Sequence, residues 1–242
     1  MKKILLIGLM GLMGLMPLRA QMIIDTWTLT TGVDTTLWMN LGSDYTTLIA
    51  TTMGSSQNYG SSGLRDIGFP FTLGATTHTK FSTNVNGTVR LGTSLLPSAG
   101  YIEEPLGQNI TAGPRIDAFG RAAMFDQDCY MRSAVLGDSG SRVLVVETRL
   151  RDYGNRSVAE GDERYVMFQV QLFEAGGLRI VYGQADSGAI YGDTQNGVAA
   201  TGNNSNKDVI FFDFASQRAV RFNGNCTLRN AVEHYPAKGH WY

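Results

Sequence analysis

Arg164-Tyr165-Val166-Met167-Phe168-Gln169-Val170-Gln171-Leu172-Phe173 carries the cleanest period-two pattern in the chain. Successive side chains of an extended backbone point to opposite faces, so Val166, Phe168, Val170 and Leu172 share one side and Met167, Gln169 and Gln171 the other. Burying the first set stabilises the fold by roughly 1.5–3 kcal/mol per side chain. Glu174-Ala175-Gly176-Gly177 then turns the chain, and Leu178-Arg179-Ile180-Val181-Tyr182 brings it back, which predicts an antiparallel hairpin.

The same grammar extends outward. Residues 142–150 form a strand apolar on both faces at its start, through Val143 and Val145 on one side and Leu144 and Val146 on the other, as a central strand requires. Residues 81–85 and 88–91 flank Asn86-Gly87, a dipeptide that readily takes the positive φ of a tight turn, and are predicted to pair antiparallel. Ile67-Gly68-Phe69-Pro70-Phe71 is a short strand that Pro70 confines to a sheet edge or a strand start. Thr-rich residues 26–31 and 45–53, and residues 122–130, 209–214 and 219–222, read as further strands. Residues 54–63 and 151–162 are turn-rich, and 93–118, with Pro97, Pro105 and Pro114, read as a long connection. Repeated hairpins without helical periodicity predict an all-β, antiparallel two-sheet β-sandwich, jelly-roll-like, with a closed barrel as the alternative.

Composition agrees. Of the 242 residues 43% are hydrophobic and 17% charged, which suits a packed domain rather than a disordered polyelectrolyte. Net charge is -1, and no basic field is present to gather a phosphate backbone, so nucleic acid is not expected as a partner. The first twenty residues differ from the rest: Lys2 and Lys3 precede an apolar run over residues 4–16, and Pro17-Leu18-Arg19-Ala20 leads to Gln21. This is the anatomy of a secretory signal helix cleaved between Ala20 and Gln21, although Leu18 departs from the small-x-small pattern. The apolar run is shorter than the roughly 20 residues a spanning helix needs, and no second one follows, so stable membrane insertion is not expected. Residues 1–20 are thus expected to leave residues 21–242 as a single β-sandwich domain outside the cytoplasm. Export would let the two cysteines, Cys129 and Cys226, form a disulfide, with two buried thiols as the alternative.

Ile67 to Phe71, Phe81 to Gly92, Arg142 to Glu147, Phe168 to Glu174 and Ile180-Val181-Tyr182-Gly183, closed by Tyr235-Pro236-Ala237-Lys238-Gly239, together resemble a β-sandwich module of secreted Bacteroidetes proteins. They are also distantly similar to the extracellular nidogen-type domain. The likeness covers most of residues 26–242. It implies a secreted or outer-surface module that in relatives often precedes fibronectin type III repeats, protease domains or a sorting domain. Two departures stand out: Met124-Phe125-Asp126-Gln127-Asp128 lacks the Trp that relatives often carry there, and Gly239-His240-Trp241-Tyr242 stands where a last strand and further domains would follow. The chain therefore reads as a shortened form of the module, or as a minimal stand-alone form.

No set of residues announces catalysis. Gly137-Asp138-Ser139-Gly140-Ser141 matches part of the segment around the nucleophile of trypsin-like proteases, but a nucleophilic serine needs a base in reach, and His78, the only upstream histidine, lacks that family's setting. A polar turn is the expected reading. His234 and His240 have no metal-ligand spacing and read as exposed polar positions. Asp126 and Asp128 alternate along an expected strand, and Asp186, Asp193 and Asp208 fall in loops, a set that could offer oxygens to one calcium ion but lacks an Asp-x-Asp-x-Asp-Gly loop. Neither metal nor cofactor is expected. Tyr45, Tyr59, Tyr101, Tyr153 and Tyr191, in or beside loops, either stack on a ligand or cap the sandwich ends. The expected function is a non-enzymatic module for adhesion or ligand binding at the bacterial cell surface, with a host protein or glycan as partner. A structural accessory domain of a longer secreted protein is the alternative, and an unrecognised hydrolase the third reading.

Overall fold

A computed structural model describes residues 28–50, 59–74, 76–96, 113–152, 165–186, 196–202, 207–223, 230 and 235–242. Two antiparallel sheets pack face to face. The larger contains β1 (Gly32–Val33), β2 (Thr46–Ile49), β7 (Ala123–Met124), β8 (Tyr130–Leu136), β9 (Val143–Asp152), β10 (Tyr165–Phe173), β11 (Leu178–Ala185) and β15 (His240–Trp241). Its order is β1-β15-β11-β10-β9-β8-β2, with β7 also paired to β9. The smaller contains β3 (Arg65–Leu73), β4 (Thr76–Thr83), β5 (Thr88–Leu91), β6 (Arg115–Asp117), β12 (Gly197–Gly202), β13 (Lys207–Asp213) and β14 (Arg218–Asn223), in the order β14-β13-β12-β6-β5-β4-β3. Among the described residues no helix is long and apolar enough to cross a membrane.

The alternation in β10 works as its spacing dictates: Val166, Phe168, Val170 and Leu172 are fully buried. They meet Phe81, Val89, Leu91, Ile116, Ile210 and Phe212 from the smaller sheet in one continuous core. Val170 faces Ile180 across the hairpin and Val146 on the other side, so both neighbours of β10 add to the same apolar layer. Pro70 lies in β3, an edge strand, where its missing N–H removes no ladder bond. The hairpin at Asn86-Gly87 forms, with Phe81 opposite Leu91 and Thr83 opposite Val89. Its turn spans Asn84 to Gly87, closed by the Gly87 N–H donating to the Asn84 carbonyl at 2.9 Å, and only Gly87 takes positive φ, at 77°. That is a type I turn ended by glycine rather than a two-residue Asn-Gly turn.

Several expectations need correction. Of the strand expected at 26–31, residues 26 and 27 lie outside the described residues, residues 28–31 carry no ladder, and the short strand there is Gly32–Val33. The connection expected at 93–118 contains β6, whose Ile116 is fully buried between the sheets. Residues 122–130 are not one strand; after Met124 the chain turns at Asp126, whose carbonyl accepts from the Cys129 N–H at 3.0 Å. At the C-terminal end, His240–Trp241 themselves form a strand between β1 and β11.

Buried polar groups close the layers together. The Tyr182 hydroxyl donates to the Ala118 carbonyl at 2.9 Å, reaching from the larger sheet to the residue just after β6. Asn196 donates to the same carbonyl at 2.6 Å, and Asn230 links Asn196, Phe212 and Phe214. Satisfying these groups in the interior avoids the cost of burying them unpaired.

Candidate functional site

Among the described residues, those singled out in the sequence do not gather into one site. Ser139 lies in an exposed turn between β8 and β9 in the larger sheet, whereas His78 lies on β4 in the smaller one; no hydrogen bond joins them among the described residues. The turn is held by Glu174, which accepts from the Gly140 and Arg142 N–H groups at 2.8 and 3.1 Å and from the Arg142 guanidinium at 2.9 and 2.6 Å. Arg142 also donates to the Gly68 carbonyl at 2.7 Å, tying the larger sheet to edge strand β3. The protease-like motif thus forms a turn pinned by Glu174 and Arg142.

The expectation of an exposed position fails at His240. His240 is 2% exposed and lies 3.3 Å from the Thr31 hydroxyl, while His234 lies outside the described residues. Burial pushes the pKa of both His78 and His240 down, favouring neutral rings. Asp126 and Asp128 occupy the turn before β8 rather than alternate strand positions; Asp126 pairs with Arg151 at 3.2 Å, and the Tyr165 hydroxyl lies 3.2 Å from Asp126 and 3.5 Å from Asp128. Asp186 accepts from the Tyr165 N–H at 2.9 Å, Asp208 lies in the other sheet, and Asp193 lies outside the described residues. Among the described residues, no three His, Cys, Asp or Glu side chains gather as metal ligands would. Cys129 is a buried thiol whose sulfur lies 3.3 Å from Asp126 Oδ1, and burial raises its pKa strongly. Cys226, like the expected cleavage site at Ala20 and Gln21, lies outside the described residues.

What the structure does assemble is a row of rings and guanidinium groups on the outer face of the larger sheet. Tyr130 and Arg132 alternate on β8, Glu147 and Arg149 on β9, and Tyr165 and Met167 on β10; with inner residues such as Met131, Thr148 and Val166 buried, these point outward. The register sets Tyr130 opposite Arg149 and Arg149 opposite Met167. Arg132 lies between two rings, 4.7 Å from the Tyr45 centroid and 4.5 Å from the Tyr130 centroid. Arg149 lies 4.3 Å from the Tyr165 centroid. Such stacking attracts each cation to the negative face of the ring.

Beneath this row Glu147, 2% exposed, takes two bonds from Arg132 at 2.9 and 2.6 Å and one from Gln169 at 2.7 Å. A buried carboxylate survives only when paired and hydrogen-bonded, and here the pairing fixes the guanidinium in place. Burial, with the nearby Glu147 charge, pushes the Tyr130 hydroxyl up to about 12, so it stays a neutral donor at ordinary pH. By contrast the Arg149 side chain makes no ion pair or hydrogen bond among the described residues, and its contact is the Tyr165 ring. Tyr130, Arg149, Tyr165, Met167, Gln184 and Asp186 line a hollow of about 240 Å³ there, open to the outside.

Of the loop tyrosines, Tyr45 joins this row and Tyr59 is exposed elsewhere, while Tyr101, Tyr153 and Tyr191 lie outside the described residues. The rings and guanidinium groups of this row that the sequence reading did not mark lie inside strands, on their outer face. The readable signal was an aromatic or charged residue at alternate positions, Tyr130-x-Arg132 and Glu147-x-Arg149, on strands whose other face is mostly apolar.

No curated protein and no solved structure matches the chain. The family model described as NIDO related matches residues 38–242, which includes every residue of this face and both sheets apart from β1, and the chain therefore belongs to the NIDO-related family.

Proposed function

We propose that this chain is an exported, non-catalytic binding module of the bacterial cell surface, and that it meets its ligand, a glycan or a host matrix protein, through the tyrosine and arginine face of the larger sheet. The observation that carries the reading is the row Tyr45-Arg132-Tyr130 with Arg149 on Tyr165, rings and cations presented to solvent on a rigid sheet. Rigid rings give contact area at little entropic cost, and guanidinium groups add directed donors, the two features enriched where proteins bind. The signal-like segment over residues 1–20 and membership of a nidogen-related family support an extracellular setting. The resemblance to secreted Bacteroidetes modules supports placement at a Gram-negative envelope.

An array of glycans and matrix proteins probed with the purified chain tests this. Specific signals that weaken at least tenfold in Arg149→Ala and in Tyr45→Ala are expected, with circular dichroism unchanged. Signals that survive both substitutions would move the contact surface elsewhere. An array without signals would favour a structural accessory role, and turnover in a broad hydrolase screen would remove the non-catalytic reading.

A further inference from the structure

A second hollow, about 370 Å³, lies at the end of the sandwich where the Gly176-Gly177 turn joins β10 to β11. That volume is within the range of pockets that hold small molecules. Its walls are mostly apolar, with Leu29, Phe173, Leu178, Phe212, Trp241 and Tyr242 prominent, and among the described residues lining it the one charged side chain is Arg179. The Arg179 guanidinium lies 5.0 Å from the Phe173 ring centroid and 5.7 Å from that of Trp241.

Among the described residues, Arg179 has few partners. One of its five N–H donors has a hydrogen-bond partner among them, Gln171 at 3.5 Å. Asp34 contributes a favourable field, but its carboxylate is engaged by the Thr36 N–H at 2.8 Å and hydroxyl at 2.6 Å, and no ion pair joins Asp34 to Arg179 among the described residues. Burial accordingly lowers the pKa of Arg179. A half-buried guanidinium whose donors are largely unfilled gains from a carboxylate, whose two oxygens match its fork, more than from any neutral head group.

We propose that this pocket binds a small apolar carboxylic acid, its carboxylate on Arg179 and its hydrocarbon body against the apolar walls. The site is separate from the tyrosine and arginine face, and the inference stands whether or not that face binds a glycan.

Calorimetric titration of the purified chain with octanoate and with octanamide, alongside tryptophan emission, tests the proposal. Saturable one-to-one binding of octanoate is expected, with octanamide at least tenfold weaker, the ratio one charge-assisted hydrogen bond supplies. Arg179→Met is expected to bring octanoate down to the octanamide level, and Trp241→Phe to remove the emission change. Arg149→Ala is expected to leave octanoate binding unaltered. Equal affinity for acid and amide, absence of saturation, or loss of octanoate binding in Arg149→Ala would each overturn the proposal. The acid and amide comparison on the unaltered chain decides the matter even if Arg179→Met does not fold.

Discussion

Glu174 accepts four hydrogen bonds at the turn into β9, and the Arg142 guanidinium, followed by the backbone N–H groups, holds its carboxyl at about 2, well below the ordinary 4.5. A carboxyl depressed in the folded state adds stability that is complete above its unfolded value and is lost as pH falls through the folded one. Melting temperature is therefore expected to drop between about pH 4.5 and pH 2, and Glu174→Gln to melt lower at pH 7 with a flatter curve across that window. Thermal melts of both chains at stepped pH check this. In the core, Phe168 is fully buried, and Phe168→Ala is expected to cost about 3–5 kcal/mol in urea melts. Gly87 holds positive φ, and a Cβ there would come within 2.5 Å of Phe168 Cζ. Gly87→Ala is expected to cost about 1–3 kcal/mol, less when Phe168 is shortened to Leu, so a double-mutant cycle should show coupling. The Phe168 face was readable from period two alone, whereas the closeness of Gly87 to Phe168 was not, because it joins opposite sheets.

At the scale of elements, β10 carries a lesson about its second face. Spacing put Gln169 and Gln171 opposite the apolar side, yet both are fully buried. Their cover comes from residues 37–41: Gln169 accepts from the Met39 N–H at 3.0 Å and donates to the Met39 carbonyl at 2.7 Å, and Gln171 donates to the Leu37 carbonyl at 2.9 Å. Leu41 adds an apolar patch with Ala134, Val143 and Val145, and Trp38 lies so close over Gly183 that a Cβ there would meet its ring at 2.7 Å. The glutamines thus act as partners for a strap of backbone. Gln169→Ala leaves Met39 and Glu147 short of partners and is expected to cost about 1–3 kcal/mol. Faster hydrogen exchange at the Met39 amide would show that the strap has loosened. Nothing local in the sequence marks this cover, since the two segments lie 130 positions apart.

For the whole molecule, the last residues close the structure. Tyr242 exchanges hydrogen bonds with Ile180 at 2.9 and 3.0 Å, stacks on Phe212 at 4.6 Å and is 6% exposed. Val181 pairs with Trp241, and Trp241 with Gly32, so β15 also carries β1. Removal of residues 240–242 is expected to cost at least the roughly 3–5 kcal/mol of a large aromatic truncation, with early loss of protection at Gly32 and Val33 in hydrogen exchange. Local spacing is enough to read the all-β class, the apolar faces of β9 and β10 and the hairpins beside them, because burial acts through a period that neighbouring residues display. The remaining features arise when the sheets come together. β12, built from small residues, and the two-residue β15 are strands because neighbours supply their hydrogen bonds, and Tyr45, Tyr130, Arg132, Arg149 and Tyr165 form one face because β2, β8, β9 and β10 or their flanks lie side by side. Register between strands distant in sequence is fixed by packing, a cooperative property of the folded chain that no single segment encodes.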